Sequence, residues 1–167
     1  MVEGNKRGQI EMSFGMIFSI ILIICFVAFA FYVIVNLLKT KSTSEVVIFV
    51  TDLQKKVDEF WTSSGGSDTS TFAIPSKVEK ICFIDFTLAP SITPEIYDEF
   101  ERLSKKTDNL IFYPKGSTKT FYSVEIKNID LEKITATENP YCIPAKNGKV
   151  NLQIKKDFDE KLVTVIR

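Results

Sequence analysis

The stretch Phe14–Leu38 constrains this chain more than any other: twenty-five consecutive residues carry no charge and are apolar on every face. As a helix rising about 1.5 Å per residue it would reach roughly 37 Å, more than the ~30 Å hydrocarbon core of a bilayer. A buried helix of a soluble protein normally keeps a polar stripe, and this run has only Ser19 and Asn36 to offer. The expectation is a transmembrane helix over 14–38, preceded by a short polar leader, 1–13. Cys25 lies inside the run, where it is a small apolar packing residue.

Past residue 41 about 126 residues remain, the size of one compact domain. From Ser42 onward 17 Lys and Arg stand against 19 Asp and Glu, so this head has no broad attraction for nucleic acid or anionic lipid. The chain has no histidine. That removes Ser-His-Asp and Cys-His nucleophiles and every His-ligated metal site, and no glycine-rich dinucleotide motif or Cys-x-x-Cys occurs. The expectation is a protein that is not an enzyme and carries no cofactor or metal.

The segment 39–64 places apolar residues at 46, 50, 53, 57 and 60, one face of an amphipathic helix. Ser42 or Ser44 caps it before Glu45, and Gly65-Gly66 stops it. It either continues the membrane helix or is parted from it by a break at 40–44. Phe60 and Trp61 read as core anchors, and Thr62–Thr71 as a flexible polar loop. Within 65–167, strands are expected at 72–75 and 80–86, and a helix from Pro94 to about Lys105, capped by Thr93, with Ile96, Phe100 and Leu103 buried. Three hairpins follow: 109–113 with 119–127, the region of Ile143 with 150–154 across Asn147-Gly148, and 150–155 with 162–166. The fold class is α+β, an antiparallel sheet with one further helix.

Cys82 and Cys142 stand sixty residues apart on predicted strands. One disulfide is open to them if the head lies outside the cytoplasm; the alternative is two buried thiols, since spacing does not measure the geometry a disulfide requires. Asp157, Asp159 and Glu160 are close enough in sequence to chelate a hard cation but lack the glycine and later glutamate of a calcium loop. Asp85 is either a mid-strand acid of raised pKa or a solvent-facing one. Lys115-Gly116-Ser117-Thr118 reads as a hairpin turn, and Asp98, Glu99 and Glu101 beside Arg102 as a solvated helix face.

Lys6-Arg7-Gly8-Gln9, followed by the apolar helix, resembles the class III signal of archaeal type IV pilin-like proteins. The resemblance covers residues 6 to about 38. It implies that a prepilin-type peptidase cuts after Gly8 on the cytoplasmic side, so that Gln9 begins the mature chain. The apolar helix is then retained as a filament core through which copies associate. Where the family commonly has glutamate at the fifth mature residue this chain has Ser13, and Glu11 stands two positions earlier. Charge alone leaves the orientation tied, with Lys6 and Arg7 on one side and Lys39 and Lys41 on the other. The expected function is a membrane-anchored, pilin-like surface protein, structural or adhesive, with an extracytoplasmic head. The alternative is a single-pass, membrane-tethered binding module that never polymerises.

Overall fold

The computed structural model describes residues 14–91, 94–119 and 121–167, with side chains at all of these except 38–43, 94 and 95. They fall into two units, one ending at Thr40 and one of Lys41–Arg167. Helix α1 spans Phe14–Thr62. After Gly15 no glycine or proline interrupts it until Gly65, so nothing in the sequence breaks the backbone ladder. The apolar run and the amphipathic stretch therefore share one helix.

The rest of the second unit is α+β. In chain order it contains β1 (Gly66–Ala73), β2 (Lys80–Phe83), α2 (Pro94–Leu103), β3 (Leu110–Tyr113), β4 (Ser123–Val124), α3 (Leu131–Thr135), β5 (Tyr141–Pro144), β6 (Lys149–Lys156) and β7 (Thr164–Ile166). They build a three-stranded sheet of order β1-β6-β7 and a four-stranded sheet of order β4-β3-β2-β5, with every strand pair antiparallel. Short α3 opens at Asp130, whose side chain accepts a hydrogen bond from the Lys133 backbone N–H.

Within the second unit α1 buries Val46, Phe49, Leu53 and Val57, while Val50 and Phe60 are partly covered. Phe49 contacts both sheets. Its ring meets Phe72 of β1 and Phe112 of β3 edge-on, with centroids 5.8 Å apart in each pair. Around it Ile81, Phe83, Leu110, Ile143, Val150, Leu152 and Val165 are among the residues of the main core. Side chains of β2 alternate. Ile81 and Phe83 enter this core, while Cys82 and Ile84 pack on the other face with Ile111 and with Phe100 of α2. The four-stranded sheet is thus covered on both faces, which is why Ile81-Cys82-Phe83-Ile84 is an unbroken apolar run.

Several local expectations are corrected. Trp61 is 45% exposed and is not a core anchor, and Leu103 is likewise exposed. The supposed loop after Thr62 is largely β1, paired from Gly66↔Lys156 to Ala73↔Lys149. Its exposed Ser and Thr residues give no apolar signal, and the ladder of β6 holds it in place. The hairpin turn at Asn147-Gly148 forms, with φ of 52° and 69°, but its arms diverge. β5 joins β2 in one sheet, and β6 joins β1 and β7 in the other. The other two hairpins pair as β3 with β4 and β6 with β7.

Polar side chains fix the connections. The Asn109 carboxamide donates to the Ile126 carbonyl and accepts from the Ile126 N–H, at 2.9 and 2.8 Å. Buried Asn139 accepts from the Asp85 N–H and donates to the Asp85 and Leu88 carbonyls. At the end of α1, Lys156 Nζ donates to the carbonyls of Trp61 and Ser63 at 2.6 and 2.8 Å, placing a cation at the negative end of the helix. Gly65 follows at φ 146°, where a Cβ would lie 3.2 Å from the Lys156 carbonyl oxygen.

Truncating Phe49 to alanine removes the ring shared by both sheets and should cost about 3–5 kcal/mol. Denaturant titration of the detergent-solubilised protein measures this. Val47→Ala, on the exposed side of α1, should stay within about 0.5 kcal/mol of wild type. Equal effects at the two positions would contradict the packing described.

Candidate functional site

Three features of the described residues are candidates for function: the apolar part of α1, the layer holding Cys82 and Cys142, and a cluster of cations at the Asn147-Gly148 turn. The processing residues Gly8 and Gln9 expected from the sequence lie outside the described residues.

Phe14–Leu37 is long and apolar enough to cross a membrane, with a mean hydropathy of 3.0 and none of it buried among the described residues. Phe14, Ile23, Phe26 and Phe31 are each more than 60% exposed. Ser19 Oγ donates to the Gly15 carbonyl at 2.8 Å, so this hydroxyl is satisfied within its own helix. Cys25 is exposed and is the free cysteine of the described residues.

Cys82 and Cys142 face each other across β2 and β5 and form a disulfide, with Cα atoms 4.0 Å apart. The neighbouring Ala145 N–H donates to the Glu79 carbonyl, so by alternation Cys82↔Cys142 and Lys80↔Pro144 are the non-hydrogen-bonded pairs, in which side chains approach closely. The same alternation turns the missing N–H of Pro144 away from β2, toward the free edge of the sheet. The disulfide lies in the smaller core with Phe100, Ile111, Tyr97 and Tyr122. There burial first, and the nearby Glu99 and Tyr113 after it, push the Tyr122 phenol well above its ordinary range.

Three of the acids singled out from the sequence, Asp85, Asp157 and Glu160, have structural partners. Asp157 pairs with Lys155 at 2.9 Å, and Glu160 pairs with Lys133, whose pKa is raised chiefly by that hydrogen bond. Asp85 accepts from the Thr87 N–H and hydroxyl at 2.8 and 2.6 Å, closing a turn. Among the described residues no group of three or more His, Cys, Asp or Glu side chains converges as a metal site would require. Ser117 and Thr118 are buried in the Pro114–Thr118 turn rather than presented as a phosphate loop, and the Asp98 carbonyl accepts from Arg102 Nε on the exposed face of α2.

The cation cluster was not anticipated, although its signal is plain: lysines flank the Asn-Gly turn. Lys146 and Lys149 exchange both backbone hydrogen bonds, at 2.8 and 3.0 Å, so their side chains leave the hairpin on one face. They border a cleft that Pro144, Asn147, Asn151 and Arg167 also line. Compared with protein-family models, curated proteins and solved structures, the chain matches none.

The disulfide closes a loop with a sequence separation of 60. In the chain-entropy model such a closure stabilises by about 4 kcal/mol. Thermal unfolding with and without reductant should therefore show a lower midpoint for reduced protein, and Cys82→Ser/Cys142→Ser should match the reduced form. A midpoint indifferent to reductant, with both head thiols already open to alkylation in native protein, would contradict the bond.

Proposed function

We propose that this chain is a single-pass, pilin-like membrane protein that presents its α+β head outside the cytoplasm in a structural or adhesive role. The observation that carries the reading is the apolar surface of Phe14–Leu37, in which no residue is buried among the described residues. Water is a poor solvent for such a surface, at roughly 25 cal/mol per Å² of apolar area, whereas lipid or the same helix of another copy is a good one. The disulfide supports an extracytoplasmic head, since such bonds persist in oxidising compartments. Cutting after Gly8 on the cytoplasmic side gives the same orientation.

Ser13, in place of the family's common glutamate, favours a second reading, a tethered binding module that does not polymerise. Both readings place the head on the surface. The first separates at the leader from an ordinary signal anchor and from the second reading, which needs no cleavage. Mass spectrometry of the protein purified from its native membrane should find Gln9 at the amino terminus; an intact segment 1–12 would return the chain to the plain-anchor class and remove the pilin resemblance.

A further inference from the structure

We infer that the cleft at the Asn147-Gly148 turn binds an acidic polysaccharide, its carboxylates held by Lys146, Lys149 and Arg167. Like charges directly opposite on paired strands repel, and a fold gains nothing from placing them there without a counter-charge. Lys146 and Lys149 are such a pair. Among the described residues neither they nor Arg167 pairs with an Asp or Glu carboxylate within 4.0 Å, although Lys56, Lys133 and Lys155 all do. The head is not basic as a whole, so this is a local concentration of charge rather than a diffuse field.

The remaining walls favour a sugar polymer over a bare anion. Asn151 Oδ1 accepts from Thr71 Oγ1 at 2.8 Å, which orients the carboxamide and leaves its N–H groups to donate to ligand oxygens. Asn147 at the turn offers a second carboxamide. The Pro144 ring adds a small apolar surface beside these donors. Cations alternating with carboxamides and a small apolar surface match a chain that alternates carboxylates with hydroxyls. The cleft is open and carries no aromatic platform among its lining residues, so the affinity expected is modest and dependent on salt.

The inference rests on the surface-exposed reading for where the polymer would be met, but binding is measured on purified protein. An unprocessed leader would leave it untouched, and absent binding would leave processing untouched. Full-length protein in neutral detergent is titrated calorimetrically with polygalacturonate and with uncharged dextran. Polygalacturonate should bind and dextran should not, and added salt should weaken the complex. Lys146→Ala/Lys149→Ala should weaken it about tenfold. Lys146→Arg/Lys149→Arg should preserve it, as should Lys115→Ala/Lys161→Ala, which removes exposed lysines outside the cleft lining. Because both cleft lysines are exposed, the alanine variant should keep the wild-type melting temperature. Absence of polygalacturonate binding, equal binding of dextran, or equal weakening by the Lys115 and Lys161 changes would overturn the inference. So would full displacement of the polymer by inorganic phosphate at matched ionic strength, which would mark a small-anion site.

Discussion

The edge-on contacts of Phe49 with Phe72 and Phe112 are what the second unit depends on. The two sheets share no strand, and the turn at Asn147-Gly148 that links β5 to β6 sends each arm into a different one. Burial on the 44–62 part of α1 joins them, together with α3, which packs on β2 of one sheet and β7 of the other. Val46, Leu53 and Val57 extend the same stripe, so one helical face serves both sheets. Polar contacts then fix where that face sits. Gln54 accepts from the Lys127 N–H at 2.8 Å, and Asp58 accepts from the Asn128 carboxamide at 2.9 Å, tying the helix to the chain just after β4.

The disulfide acts on the other side of the four-stranded sheet. It joins β2, an interior strand, to β5, an edge strand whose Pro144 cannot donate to a ladder. Edge strands are where sheets open, and a covalent tie to the interior strand keeps this one closed. The layer above it is small: Cys82, Ile84, Phe100 and Ile111 are its fully buried members. Such a layer has little apolar area from which to draw stability, so the covalent bond matters more there than it would in the main core.

The α+β class, the long helix, the Pro94 helix and two of the three hairpins could be read from the sequence because each rests on local chemistry: apolar period, proline at a first turn, short polar turns between apolar segments. What could not be read depends on partners far along the chain. β1 is polar and takes its form from β6, some eighty residues away. Trp61 looks like a core residue by type, yet the helix face it occupies turns outward. The Asn-Gly turn was recognisable from two residues, but nothing near it announces that its arms belong to different sheets. Lys156 reads as a surface lysine and is instead a buried cap on α1, a role created by the end of a helix distant in sequence. The cation pair at Lys146 and Lys149 was visible as spacing and went unremarked, since two lysines become a cluster only when a turn folds them together.

The proposed role turns on the solvent of Phe14–Leu37. Its apolar side chains point outward on every face, and lipid is the medium in which that surface is stable while the backbone satisfies itself within the helix. Cys25, free and exposed near the middle of this segment, is a natural reporter. A nitroxide on Cys25 of protein reconstituted into liposomes, read by power-saturation EPR, measures its access to oxygen and to a water-soluble nickel chelate. High oxygen access with negligible nickel access is the result for a helix that spans the bilayer; ready access to nickel would place the segment in water and contradict the membrane reading.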